Sequence, residues 1–156
     1  AGASSCCPWS SGPLFGRTTY EPMEDAWPAV ARDETAPRAS REWARKPEAK
    51  PKYVVSASRH DFPWNNTFRV EGDLHEAVRQ LKEKTPRGVL VGSPTLSAAL
   101  ERMGLIDEYR IVVHPVLAGH GPTLFHGLER SRHLDLVSTH RLKSGVMAMH
   151  YRRKEE

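Results

Sequence analysis

The stretch that decides the fold is Gly88-Val89-Leu90-Val91-Gly92-Ser93-Pro94-Thr95-Leu96. Its first part is a continuous apolar run with a turn signal at each end, which is typical of a strand buried on both faces. Ser93 followed by Pro94 then favours the start of a helix, and Gly104 supplies its stop. A helix that begins directly after a buried strand offers free backbone N–H groups and a positive dipole end to a phosphate.

Strands and helices alternate on both sides of this stretch. Asp73 opens a predicted helix that ends before Thr85, because a residue that precedes proline avoids the helical region. Further strands are predicted at residues 52–56, 67–70, 109–117, 134–140 and 146–151. This order predicts an α/β fold with a mixed, mostly parallel sheet, an antiparallel C-terminal edge and helices on both faces.

The apolar positions of the two helices predict which side of each is buried. In the first helix these positions are Leu74, Ala77, Val78 and Leu81. In the second they are Leu96, Ala99, Leu100 and Met103.

The N-terminal third has a different composition. Residues 1–13 are rich in Ser, Cys, Gly and Pro, which predicts an irregular segment, and a single domain then covers residues 14–153. Prolines and charges between residues 22 and 51 predict a long surface excursion with only a short helix near residues 40–46.

Composition excludes several classes of protein. The formal charge of +4 and pI near 9.3 permit anionic ligands, but the 23 basic and 19 acidic residues are interspersed, which argues against a nucleic-acid partner. No apolar run approaches the roughly 18 residues that a membrane span needs, and the first residues do not form a signal peptide, so a cytoplasmic location is expected. The adjacent cysteines, Cys6 and Cys7, imply no disulfide framework, and the histidines lack the spacing of metal ligands.

Three short segments could hold phosphate. Gly92-Ser93 lies at the predicted helix start, Gly16-Arg17-Thr18 combines a glycine with an arginine fork and a hydroxyl, and Ser56-Ala57-Ser58-Arg59 follows a predicted strand. Small hydroxyl residues followed by arginine could bind the 2′-phosphate that distinguishes NADP from NAD. Each segment alone is equally compatible with an ordinary turn at the end of a strand.

Taken in order, these segments resemble the dihydrofolate-reductase-like family. The branch resembled is related to the C-terminal reductase domain of the bifunctional riboflavin-biosynthesis deaminase–reductase, and the resemblance spans about residues 14–153. It is carried by Gly16-Arg17-Thr18-Thr19-Tyr20-Glu21 with Trp27-Pro28, by Pro51-Lys52-Tyr53-Val54-Val55-Ser56, by Val89-Leu90-Val91-Gly92-Ser93-Pro94-Thr95-Leu96, by Gly104-Leu105-Ile106-Asp107-Glu108-Tyr109-Arg110, and by Pro115-Val116-Leu117-Ala118-Gly119-His120-Gly121 with Leu124-Phe125.

The resemblance implies an NADPH-dependent oxidoreductase that reduces a small pteridine- or pyrimidine-like substrate, and a homodimer. The alternative is a non-catalytic NADP-binding or scaffold domain. The resemblance places Gly16, Arg17 and Thr18 at the cofactor's phosphates, Ser56, Ala57, Ser58 and Arg59 at its adenosine end, and Gly92, Ser93, Thr95 and Leu96 at its pyrophosphate and nicotinamide side. It identifies no catalytic acid. Asp107-Glu108 is expected to fix a turn, and Gly119-His120-Gly121 to need glycine for positive φ, with His120 exposed.

One part of the family pattern is missing. Members of the family begin with an apolar strand, a loop over the nicotinamide and a helix, whereas 13 irregular residues precede Leu14 here. We expect this strand to belong between the strands predicted at residues 88–92 and 109–117. Three interpretations remain: the natural start is absent, residues 1–13 substitute for the strand, or a partner chain fills the gap.

Overall fold

The computed structural model describes residues 11–121, 123–125 and 127–154. It divides into two compact units, an N-terminal unit that ends at Leu96 and a C-terminal unit that begins at Ser97. The predictions for Cys6 and Cys7, and most of the irregular segment predicted for residues 1–13, lie outside the described residues. No helix in the described part of the chain is both long enough and apolar enough to cross a membrane.

The N-terminal unit alternates strands and helices. Its elements are β1 (Gly12–Gly16), α1 (Arg17–Arg32), α2 (Arg38–Ala49), β2 (Lys52–Val55), β3 (Thr67–Val70), α3 (Leu74–Lys84) and β4 (Val89–Val91). The four strands run parallel in the order β3-β2-β1-β4. The predicted α/β class is therefore confirmed, although Gly12 and Pro13 belong to a strand and not to the irregular segment predicted there. The next helix, α4 (Pro94–Arg102), carries the chain into the C-terminal unit.

Strand β1 is central in the parallel sheet and buried on both faces. Leu14 is 0% exposed and Phe15 is 6% exposed, and consecutive side chains of a strand point to opposite faces. Gly12 allows the chain before β2 to approach β1 closely, since a Cβ there would lie 2.0 Å from the carbonyl oxygen of Pro51. Only glycine fits this position without a shift of the backbone.

The surface excursion predicted for residues 22–51 is wrong, because this segment forms most of α1 and all of α2. Three of its prolines lie inside these helices, against their low intrinsic helix preference. Packing outweighs that preference: Tyr20 is fully buried in a cluster with Phe15, and the ring centroids of Trp27 and Trp43 are 4.3 Å apart. Most helix stability in proteins comes from such a buried face.

Helix α3 forms as predicted. The side chain of Asp73 accepts a hydrogen bond of 3.0 Å from the backbone N–H of Glu76 and so caps the helix. Val78 and Leu81 are buried, and the helix ends at Lys84. The prediction for the next strand was only partly right, because the residues of β4 are half-buried: among the described strands, β4 is an edge of the parallel sheet.

The C-terminal unit contains a separate antiparallel sheet. Its strands are β5 (Glu108–Val113), β6 (Leu134–Arg141) and β7 (Met147–Arg153), in the order β5-β7-β6. The predicted antiparallel part is thus confirmed, but within the described ranges it forms its own sheet and not the edge of a single mixed one. Strand β5 stops before the predicted residue 117, because its ladder ends where Val113 pairs with Met147, the first residue of β7.

Helix α4 buries a different side chain from the one predicted. Leu100 is buried, but Met103 is 40% exposed and Glu101 is only 1% exposed. Both carboxylate oxygens of Glu101 lie 2.8 Å from Nη2 of Arg153, and the hydroxyl of Tyr109 donates a hydrogen bond of 2.5 Å to the same carboxylate. A carboxylate can be buried when it is paired and hydrogen-bonded in this way. The predicted apolar stripe is therefore wrong at Met103.

Candidate functional site

The predicted phosphate-binding segments lie where neighbouring parallel strands end. β1 ends at Gly16, β2 ends at Val55 and β4 ends at Val91, and the three strands are adjacent in the sheet. Because they are parallel, their carboxyl ends face the same edge, where open α/β sheets bind ligands. The structure therefore brings three segments to this edge: residues 16–18, 56–59 and 92–96.

A hydrogen bond joins the first and third of these segments. The backbone N–H of Gly16 donates to Oγ of Ser93 at 2.9 Å, and Ser93 is 3% exposed. A Cβ at Gly16 would lie 3.9 Å from the Cβ of Leu96. Residues that are 77 positions apart in the chain are thus in contact, and Ser93 holds them in register.

Gly92 leaves a surface open beside this contact. A Cβ built at Gly92 would meet no atom of the described chain within 4 Å. Glycine is therefore not required there by the packing of this chain. A backbone without Cβ lets a ligand approach closely, and this is the role that the sequence predicted for Gly92.

Two helices begin at this edge. Gly16 is the N-cap of α1 and makes no side-chain cap hydrogen bond, and α4 begins at Pro94, directly after Gly92-Ser93. Neither helix has an acidic residue in its first turn. Their N–H groups and dipoles favour an anion, and these residues fit the phosphates of a dinucleotide. We name the strand-end cradle by its residues: Gly16, Arg17, Thr18, Gly92, Ser93, Thr95 and Leu96.

Arg17 is the cation of the strand-end cradle. Its side chain is 45% exposed and its Nη1 lies 3.2 Å from a carboxylate oxygen of Glu21, one helical turn away. An exposed pair of this kind contributes little to stability. A phosphate can therefore replace Glu21 as the partner of Arg17 at small cost.

Arg59, predicted at the adenosine end of the cofactor, contacts a carboxylate and two aromatic rings. Its Nη1 lies 2.5 Å from a carboxylate oxygen of Glu24, and its guanidinium lies over the rings of Tyr20 and Phe62, 5.6 and 5.4 Å from their centroids. The hydrogen bond to Glu24 raises the pKa of Arg59. This guanidinium is therefore oriented by Glu24 and by two aromatic rings, and its contact with a 2′-phosphate stays a prediction.

Arg69, which the sequence analysis overlooked, lies beside the same segment. Its Nη2 donates to the carbonyl oxygen of Ser56 at 3.4 Å, and its Nη1 contacts the ring of His60. Its Nε is buried and has no hydrogen-bond partner within the described residues. The side chain of Glu71, its one ion-pair partner in this part of the chain, is 74% exposed. The only signal in the sequence is an arginine inside the short strand β3.

Two further predictions concern the C-terminal unit. Glu108 pairs with Arg110 and His150, each at 3.0 Å, which agrees with the expected structural role of the Asp107-Glu108 turn. Gly119 and Gly121 have φ angles of +73° and +137°, so the predicted need for positive φ is confirmed. His120 between them is exposed. In the described ranges, no group of three or more His, Cys, Asp and Glu side chains could hold a metal ion.

The parallel sheet, the antiparallel sheet and the helices define an α/β protein of the dihydrofolate-reductase-like class. A family model described as the RibD C-terminal domain matches residues 11–148. The chain therefore belongs to the RibD C-terminal domain family, and its fold is of the reductase type found in the riboflavin pathway.

Individual relatives agree with this assignment. The uncharacterized protein YyaP of Bacillus subtilis (strain 168) is 28% identical over 139 residues, which cover 88% of this chain and 71% of YyaP. A putative riboflavin biosynthesis protein from Shewanella sp. PV-4 has a TM-score of 0.69 at 23% identity, over 94% of this chain and 75% of that chain. A pyrimidine reductase-like protein from Corynebacterium diphtheriae has a TM-score of 0.55 at 14% identity, over 95% and 77% respectively. At these identities the two solved structures support the fold.

Proposed function

We propose that the chain is an NADPH-dependent reductase that passes hydride to a small heterocyclic substrate of the pyrimidine or pteridine type. The observation that carries the proposal is the strand-end cradle, in which two helix N-termini and the open surface at Gly92 meet at one edge of a parallel sheet. Membership of a family with a reductase-type fold supports the same reaction. The homodimer implied by the resemblance stays a prediction.

Each part of the strand-end cradle has a task in this proposal. Arg17 and the first-turn N–H groups of α1 and α4 would neutralise the phosphates, while Ser93 holds Gly16 in place through its 2.9 Å hydrogen bond. When bound, NADPH supplies the hydride from its nicotinamide ring. The contribution of the chain is to hold this donor and the acceptor close together and to exclude water.

The strand-end cradle is tested by Gly92→Val. Since a Cβ at Gly92 meets no described atom within 4 Å, we expect the variant to fold, but its side chain fills the surface that the phosphates would approach. NADPH affinity should fall about tenfold or more, as expected for the loss of one or two good contacts. The measurement is a fluorescence titration with NADPH, together with the loss of NADPH absorbance when a pyrimidine or pteridine acceptor is added.

Ala49→Val, on the exposed last residue of α2, serves as the matched control and should bind NADPH as the wild type does. Unchanged NADPH affinity in Gly92→Val would show that the strand-end cradle is not part of the cofactor site. Tight NADPH binding without turnover by either acceptor would instead favour a non-catalytic NADP-binding domain.

We propose that Arg69 is the cation that binds the 2′-phosphate at the adenosine end of NADPH. Arg69→Gln should weaken NADPH about tenfold relative to NADH, because a charge-assisted hydrogen bond to the 2′-phosphate is lost while the rest of the cofactor is unchanged. Arg59→Gln should leave the NADPH-to-NADH affinity ratio nearly unchanged, since that guanidinium is held by Glu24. The ratio is measured by titrating each variant with both cofactors. A change of the affinity ratio in Arg59→Gln but not in Arg69→Gln would assign the 2′-phosphate contact to Arg59, the residue that the sequence predicted.

A further inference from the structure

A cationic cavity lies wholly within the C-terminal unit and shares no residue with the strand-end cradle. Its volume is about 680 Å³. Three separate segments contribute to it: the end of α4, the residues before β6, and the end of β7 with the residue that follows. Its lining consists of Arg102, Met103, Gly104, Arg130, Arg132, His133, Arg153 and Lys154. Five of these side chains are cationic, and none of the lining residues that the structure describes is acidic.

Counted over the described residues that line this cavity and Glu101 beneath them, positive charge exceeds negative charge. The C-terminus of α4 carries about half a negative charge, and Glu101 beneath it carries one. Arg132, Arg153 and Lys154 alone supply three positive charges, so the balance is positive even when Arg102 and Arg130 are left out. Grouping like charges is unfavourable unless an anion accompanies them.

The buried carboxylate of Glu101 holds two of these arginines in place. It receives Nη2 of Arg153 at 2.8 Å on each oxygen and Nε of Arg132 at 3.3 Å. Nε of Arg153 also donates to the carbonyl oxygen of Ile106 at 3.0 Å. Both guanidinium groups are thus oriented before any ligand arrives, which lowers the entropy cost of binding one.

Each of these arginines keeps terminal donors for a ligand. Nη1 and Nη2 of Arg132, and Nη1 of Arg153, have no partner among the residues that the structure describes. Their side chains are 23% and 27% exposed, so they line the cavity without being free in solvent. Guanidinium forks of this kind match the oxygen atoms of phosphate groups.

We propose that this cavity binds a compact polyanion that carries at least two phosphate groups. Arg132 precedes β6, and Arg153 and Lys154 stand at the end of β7, so the cations come from two segments and a ligand with two phosphate groups can engage both. The volume lies in the range of small-molecule sites. It is therefore suited to a diphosphate-type ligand, with inorganic pyrophosphate as the simplest probe.

The proposal is tested by calorimetric titration of the full chain with pyrophosphate at low salt. We expect binding at least about tenfold tighter than that of orthophosphate, about tenfold weaker binding in Arg132→Gln, and about threefold weaker binding in Lys154→Gln. Arg152→Gln is the matched control: it removes the same charge one residue away, on the opposite face of β7, where Arg152 lies 3.7 Å from Glu108. It should change the affinity by less than about twofold.

Gly92→Val separates this site from the strand-end cradle, and pyrophosphate binding should survive in it whether or not NADPH binds the wild type. Thermal melts check that each variant is folded. If Arg132→Gln does not fold, the affinity of Lys154→Gln for pyrophosphate tests the proposal in its place. Any one of four results would overturn the proposal. Two concern the wild type: no binding of pyrophosphate, or equally tight binding of orthophosphate. The other two are an equal fall in affinity in Arg152→Gln and Arg132→Gln, and loss of binding in Gly92→Val. Displacement of pyrophosphate by short duplex DNA at lower concentration would overturn it in favour of a nucleic-acid surface.

Discussion

Replacing Glu101 with alanine is expected to lower the free energy of unfolding by about 3–5 kcal/mol, the range for removing one partner of a buried ion pair. Glu101 is 1% exposed and accepts hydrogen bonds from Arg153, Arg132 and Tyr109. Without it, two guanidinium groups face each other with no carboxylate between them. The buried hydroxyl of Tyr109, whose pKa burial raises to about 12, also loses its acceptor.

The loss is measured by urea denaturation followed by circular dichroism, with the denaturant slope unchanged. Glu108→Ala is the matched control, because Glu108 pairs with Arg110 and Arg152 and contacts His150, but its side chain is 39% exposed. Its loss should be below about 1 kcal/mol. Similar losses of unfolding free energy in the two variants would mean that the arginines around Glu101 become hydrated as readily as surface arginines do.

The strands and helices that the sequence predicted correctly share one property: their pattern is local. The apolar run of β4 is soon followed by the start of α4, and α3 is capped by Asp73, the residue directly before it. These features could be predicted because each depends on residues that are adjacent in the chain. The meeting of Gly16 and Ser93 at one sheet edge was implied only by the family resemblance, because β1 was not among the predicted strands and the two residues are 77 positions apart.

The helices α1 and α2 could not be predicted in this way, because their stability comes from distant contacts. Tyr20 packs against residues of β1 and β2, and its hydroxyl accepts a hydrogen bond from the backbone N–H of Trp64, 44 positions away. Local preference in this region is unfavourable, with prolines and few large apolar residues. Tertiary packing reverses that preference, and no periodicity in the sequence shows it.

The sequence also did not show which residues pair with the charged side chains. The sequence shows that Arg59 follows a strand, but not that Glu24 of α1 occupies its guanidinium. It shows Glu101 beside an apolar stripe, but not that Arg153, 52 positions later, makes its burial favourable. Ion pairs of this kind depend on which segments the fold brings together, so the cavity beside Glu101 could only be found in the structure.

Lys52, like Glu101, is a charged side chain that is buried in the fold, but its charge is positive. The first side chain of β2 is fully buried, and its ammonium donates to the carbonyl oxygens of Pro47 at 2.9 Å and Lys50 at 3.0 Å. It also lies 4.6 Å from the centroid of the Trp64 ring. The last carbonyl groups of a helix have no partner within it, so Lys52 satisfies the end of α2 from the following strand.

Burial lowers the pKa of Lys52 to about 8, from an ordinary value of 10.5, with Glu48 opposing the shift. Between these two values the unfolded chain binds more protons than the folded chain, so folding stability should rise with pH in that window. The penalty of the buried charge is fully present below pH 8 and is relieved as pH rises towards 10.5. We expect a gain of about 2 kcal/mol between about pH 7 and 9.5.

Lys52→Met should lack this gain, because methionine fills a similar volume without a titrating group. Urea midpoints of the wild type and of Lys52→Met at both pH values give the difference, which cancels the contribution of all other groups. Lys84→Met, which removes an exposed lysine at the end of α3, should follow the wild type. Parallel pH dependence in the wild type and Lys52→Met would show that the hydrogen bonds to the end of α2 keep Lys52 charged throughout, and that these carbonyl groups outweigh the cost of its burial.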